Sequence, residues 1–310
     1  MQRTIRATLC AVVFMLTYPA VANAAVPPPL PAPAASFDVG SLHVDRYGNG
    51  AQALVFIPGL TCGPWEWSGQ ILHFATRYTV YALTLPGFDG RPPIDGPLFA
   101  TTTADFWTLL DKQHIVKPVV IGHSLGGTMG FMLATQHPDR LRAVIALDGL
   151  PIYPGNVMLS PAQVKATAAG VADAMAKQTP AQFEQSERTK TLPYLVTSQS
   201  DIDAIGPLSG KSDPAASGRW FQEDLLLDLR PDLAKATVPI LLIAPFDASF
   251  DPRFGATSSA DKQAFYGQLV KGAPNVRIVS IEHSRHFAMY DQPQATTNAI
   301  AAFLSSLPPT

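Results

Sequence analysis

The segment Gly122-His123-Ser124-Leu125-Gly126-Gly127 follows an apolar run ending at Ile121 and precedes a helical pattern. A G-x-S-x-G pentad in that setting makes a tight strand-to-helix turn, because small residues on both sides let the backbone fold closely and lift the serine hydroxyl clear. The turn also puts the hydroxyl at a helix N-terminus, where the dipole and the free amide of Leu125 favour developing negative charge. Ser124 is the expected nucleophile; the bland alternative is a glycine-rich turn with no chemistry. A hydroxyl attacks poorly at neutral pH, so a base must take its proton. His286, in Ser284-Arg285-His286-Phe287 after the last apolar run, is the leading choice, and His283 its competitor. His123 lies inside the turn and is expected to pack or tune it, whereas His43, His73, His114 and His137 read as structural.

A histidine base needs a carboxylate that fixes its tautomer and stabilises the imidazolium. Asp247, just after the run ending at Ala244, is the expected acid, with Asp251 four residues later and Asp148 at the end of the run Leu141 to Leu147 as alternatives. A tetrahedral oxyanion needs two preorganised amides. Leu125 supplies one, and Pro58-Gly59-Leu60-Thr61 supplies the other, with Leu60 preferred over Thr61. Trp65 and Trp67 follow and either wall an acyl pocket or fill the core. His283 and His286 have no third metal ligand in the sequence and no H-E-x-x-H pattern, so no metal is expected.

These residues need a scaffold that brings distant loops to one edge. Short runs apolar on both faces, Ala53 to Ile57, Thr79 to Leu85, Pro118 to Ile121, Leu141 to Leu147, Pro239 to Ala244 and Val276 to Ile281, alternate with helical stretches. Strands buried on both faces belong to a parallel sheet covered by crossover helices, an α/β sandwich. The expected helices are Thr103 to Lys112, Gly126 to His137, Ala260 to Val270 and Pro293 to Leu304. Phe37 to Tyr47 alternates as one or two antiparallel strands. Residues 151–236 interrupt the alternation with helical pieces at Pro161 to Lys177 and Pro180 to Arg188, polar turns at Ser209 to Ser217 and a bulky Trp220-Phe221 cluster. This excursion is expected to be a helical cap, dividing the core into 36–150 and 237–310.

Taken together the motifs resemble the α/β-hydrolase superfamily, in its capped group of esterases, lipases, lactonases and C–C hydrolases. The resemblance runs from Ser36 to Leu304 in motif order and implies the order Ser, Asp, His. It also implies hydrolysis through an acyl-enzyme, without cofactor, and a hydrophobic, capped pocket favours small or medium apolar acyl esters or lactones over long lipids. Acyl transfer with the same residues and ligand binding without catalysis are the alternatives. Serine rather than aspartate at the elbow argues against dehalogenase and epoxide hydrolase chemistry. Three positions differ from the family pattern: Pro58 where His is common, Asp89 where Gly is frequent, and Ala244-Pro245 where a Gly usually opens the acid turn.

The bulk composition fits one globular catalytic unit of 310 residues, 47% hydrophobic and 15% charged. A formal charge of -2 offers no basic patch for nucleic acid or anionic lipid. Arg3 and Arg6, the apolar stretch Ala7 to Tyr18 and Ala22-Asn23-Ala24 have the form of a signal peptide over residues 1–24, too short to span a bilayer. Export to the periplasm or medium is expected, with no stable membrane insertion after cleavage. A proline-rich tether occupies 25–35. Removing the leader takes Cys10 with it, and the remaining Cys62 reads as a buried small hydrophobe.

Overall fold

The computed structural model describes residues 28–308. The proposed signal peptide and the first residues of the tether lie outside the described residues. From residue 28 the chain runs without regular structure as far as Ala34, whose amide donates to Arg46 O at 2.8 Å. Leu30 packs along the core there.

Eight strands form one sheet: β1 (Ala35–Val39), β2 (Leu42–Tyr47), β3 (Ala53–Ile57), β4 (Thr79–Thr84), β5 (Val119–His123), β6 (Ala143–Leu147), β7 (Ile240–Phe246) and β8 (Val276–Glu282). Their order is β1-β2-β4-β3-β5-β6-β7-β8. The first two pair antiparallel and the rest are parallel, so every crossover must climb one face. The apolar runs thus became strands, because β3, β5, β6 and β7 are buried on both faces and only covered parallel strands tolerate that.

Helices α1 (Ser68–Phe74), α2 (Leu98–Lys112) and α3 (Leu125–Gln136) alternate with the early strands. Between β6 and β7 come α4 (Pro161–Ala176), α5 (Pro180–Ser186), α6 (Leu192–Leu195), α7 (Gln199–Ser209) and α8 (Pro214–Leu226). The chain closes with α9 (Ser259–Leu269), α10 (Ala288–Asp291) and α11 (Pro293–Ser306). The apolar sides of α2, α3 and α9 cover one face of the sheet, and those of α1, α10 and α11 the other.

The insertion α4–α8 is joined to the core by polar anchors. Glu223 on α8 accepts the amides of Leu98 (2.7 Å) and Phe99 (3.0 Å), placing a carboxylate at the start of α2 where the helix dipole favours it. The buried indole of Trp220 donates to Pro86 O at 3.0 Å. Asp213 caps α8 by accepting Ala216 N at 2.7 Å, so the stretch expected to be polar turns is a loop of a few residues between two helices.

Candidate active site

Ser124 sits between β5 and α3 with φ 51° and ψ −120°, a strained conformation for a residue with a Cβ. What permits it is close packing around the turn. A Cβ on Gly122 would lie 2.1 Å from Gly126 O, and one on Gly126 would lie 2.4 Å from Ile57 O. Thus α3 presses directly on the end of β3, and the Ser124 amide is spent on Leu147 O at 2.9 Å. Leu125 opens α3, so its amide has no acceptor within the helix.

Asp247, the expected acid, is not hydrogen-bonded to His286. His286 Nδ1 lies 2.5 Å from Asp148 Oδ2, and Asp148 follows β6 directly, in the left-handed region at φ 47°. Asp247 instead receives Arg285 Nε at 2.8 Å and caps its own turn through Ser249 N at 2.9 Å. Strand β7 explains the displacement: it runs to Phe246, which pairs with Glu282, two residues beyond the run's expected end at Ala244. Asp251 accepts the Asp247 amide and the ammonium of Lys262. The signal for the shift was the missing glycine at Ala244-Pro245, since a proline inside a continuing strand leaves no sharp acid turn there.

The electrostatics follow from these contacts. Burial alone would push the Asp148 carboxyl up, but Lys262 nearby and the hydrogen bonds from His286 and Tyr266 outweigh it and hold the group well below the usual carboxylate range. Burial and the neighbouring His123 depress the His286 imidazole below 6.5, against the opposing pull of Asp148. For Asp247, burial acts upward, and Ser249 and Arg285 bring it below its ordinary value. His283 lies exposed and turned away, its carbonyl accepting Gln292 Nε2 at 3.2 Å.

His123 packs within the turn as expected, and its partner Glu66 is the part of the site that sequence reasoning missed. Glu66, wholly buried, accepts Gly59 N at 3.0 Å and lies 3.2 Å from His123 Nδ1. The other ring nitrogen of His123 is 3.2 Å from the carbonyl oxygen of His286, which can only accept, so Nε2 carries a hydrogen. The bridge ties the Gly59 loop, the serine elbow and the histidine loop together. The His123 and His286 rings stand 4.5 Å apart between centroids, so His286 lies beside the residue preceding Ser124. Trp67 is buried with its edge toward His123 and so belongs to the core, while Trp65 is half-buried.

In the Gly59 loop the Leu60 amide has no backbone acceptor among the described residues. Thr61 stands at φ 63°, its hydroxyl 2.8 Å from that of Ser209 and its carbonyl accepting from Ser212. The insertion therefore helps to shape this loop. Asp89, where glycine is frequent, adopts φ 45°, the conformation that a glycine would supply. Cys62 is buried, and burial, with Glu66 beside it, pushes its thiol well up. Among the described residues no group of three or more His, Cys, Asp or Glu is arranged to hold a metal ion.

A family model described as alpha/beta hydrolase family matches residues 54–299. The chain belongs to that family. This alpha/beta hydrolase is 33% identical over 119 residues to a pimeloyl-[acyl-carrier protein] methyl ester esterase of Aeromonas hydrophila, a match covering 36% of this chain and 43% of the relative. It therefore spans less than half the length of that esterase. With 3-oxoadipate enol-lactonase 2 of Acinetobacter baylyi it shares 24% identity over 264 residues, 81% of this chain and 88% of the lactonase. The fold matches a malate-bound thermophilic esterase from Thermogutta terrifontis with TM-score 0.71 at 19% identity, covering 88% of this chain and 99% of the esterase.

Proposed function

We propose that this hydrolase cleaves carboxylic esters or lactones through an acyl-enzyme. Ser124 is the nucleophile, His286 the base, Asp148 the acid that orients it, and the amides of Leu60 and Leu125 the oxyanion donors. The observation that carries the reading is the His286–Asp148 hydrogen bond beside the serine elbow, which leaves Nε2 as the free ring nitrogen. In the reaction His286 takes the Ser124 proton as the oxygen bonds to the acyl carbon, and the oxyanion collapses with loss of the alcohol, which leaves with that proton. A water then attacks the acyl-enzyme, giving its proton to His286, and Ser124 recovers it as the acid departs. In a lactone the alcohol stays tethered to the acyl group. The Ser124 hydroxyl makes no hydrogen bond among the described residues, and substrate binding closes the relay to His286, as is common when catalytic bonds tighten only in the complex. The esterase and lactonase relatives support this substrate class.

With p-nitrophenyl acetate and butyrate, Ser124→Ala and Asp148→Asn should each lower kcat by about a thousand-fold or more, in protein that still folds. Asp247→Asn should stay within about three-fold, less than the loss of one transition-state hydrogen bond. A fluorophosphonate probe should label Ser124 and require His286. Unlabelled, folded protein would mean that the scaffold binds without catalysing. We also propose export on the leader of residues 1–24, which N-terminal sequencing of protein recovered from periplasm and medium tests.

A further inference from the structure

The acid at β6 is gripped from both sides. While Asp148 Oδ2 faces His286, Oδ1 accepts the hydroxyl of Tyr266 at 2.5 Å. Tyr266 is 6% exposed on α9, which packs against β7 and β8. One turn earlier on the same helix, Lys262 points its ammonium toward the same region, 5.7 Å from the Tyr266 ring centroid, and donates to Asp251 Oδ1 at 2.8 Å. The side chains of Lys262 and Asp251 are only 12% and 9% exposed. A carboxylate with two equivalent oxygens turns about its last bond, and a donor on one oxygen removes that freedom.

We propose that Tyr266, with Lys262 one turn before it, is a positioning residue for the hydrolysis. The phenol occupies Oδ1 of Asp148, so that Oδ2 alone meets His286 and the ring is held with Nε2 free for Ser124. The inference rests on the catalytic reading of Ser124, His286 and Asp148. It explains how an acid displaced from β7 to β6 is still held in place: the helix that follows β7 reaches across with a donor and a cation. The charged or titratable groups around Asp148 and His286 are Tyr266 and Lys262 from α9, Asp251 with Asp247 and Arg285 on the far side, and His123 from β5 backed by Glu66 from the segment after β3. Removing the phenol concentrates the Asp148 charge on Oδ2, and removing the ammonium takes a cation from the neighbourhood of His286. Both changes favour the imidazolium.

The test measures kcat, KM and the pH dependence of kcat/KM with p-nitrophenyl butyrate, per active site counted by fluorophosphonate titration. Tyr266→Phe should lower kcat by about ten-fold or more at unchanged KM, the loss of one hydrogen bond to an ionised group. It should also move the acid limb to higher pH. Lys262→Gln keeps a donor for Asp251, gives a second variant if Tyr266→Phe folds poorly, and should move the acid limb the same way. A Tyr266→Phe enzyme with unchanged kcat per site, or variants whose acid limbs stay put, would overturn the proposal while inactive Ser124→Ala and Asp148→Asn leave the catalytic reading standing. Full turnover by Ser124→Ala would instead remove that reading and this inference with it.

Discussion

A histidine base works only while it is unprotonated, so the depression of His286 by burial and His123 has a direct kinetic consequence. Its neutral form persists to lower pH than that of a free imidazole. The acid limb of kcat/KM for a neutral ester should therefore have its midpoint below 6.5, and a midpoint at or above that value contradicts the geometry. A second titrating group bears on stability. Asp224 on α8 has no ion pair among the described residues, and burial pushes its carboxyl up to about 7, with Thr128 offsetting only part of the effect. Its folded value lies above the unfolded 3.8, so the fold favours the protonated acid. The penalty for ionising it is absent below about pH 4, grows as pH rises, and is complete above about pH 7, at a few kcal/mol. Asp224→Asn should raise Tm by several degrees near pH 8 and leave it unmoved near pH 4, which a thermal melt at each pH decides. The same side chains show what a sequence can carry. Ser124 could be read because a G-x-S-x-G turn needs specific small neighbours, whereas Glu66 lay outside any motif and Tyr266 looked like an ordinary helix residue, their partners 57 and 118 positions away.

Among the elements, the loop between β8 and α10 is where core and insertion meet. Arg285 donates through one terminal nitrogen to Pro193 O at 2.8 Å and Val196 O at 3.1 Å, while Phe287 N donates to Leu195 O. Its Nε is held by Asp247, so the carboxylate at the usual acid position anchors α6 to the histidine loop. Arg285→Ala should destabilise the fold by about 2–3 kcal/mol, the scale for hydrogen bonds to a charged group, and speed proteolytic nicking within 187–212. Limited proteolysis under native conditions measures this, and an unchanged cleavage rate would show that the anchor is not needed. Strands were legible to within two residues because runs apolar on both faces have one destination in an α/β sandwich. Helix α2 begins five residues before its expected start at Thr103, since Leu98 and Phe99 have no capping residue of their own and rely on Glu223 from α8. Which of Asp148 and Asp247 would meet His286 was only partly legible: it turns on how far β7 extends, and Ala244-Pro245 in place of a glycine turn was the one sign of that.

For the whole molecule, the strand order brings β5, β6, β7 and β8 side by side, so loops at residues 124, 148, 247 and 286 open on one edge. The apolar runs and the motif order together pointed to that edge. Within it, the hydrogen-bonded bridge from Gly59 through Glu66 and His123 to the His286 carbonyl crosses the sheet from β3 to β8. Its Glu66 and His123 side chains have almost no contact with solvent, at 0% and 1% exposure. Mobile ions reach exposed charges within about 10 Å at 0.1 M salt, but not a hydrogen-bonded pair sealed in the core. Turnover of an uncharged ester should therefore stay level from dilute buffer to molar sodium chloride: the alignment of attacking oxygen, base and oxyanion amides is keyed by a strut that brine cannot slacken.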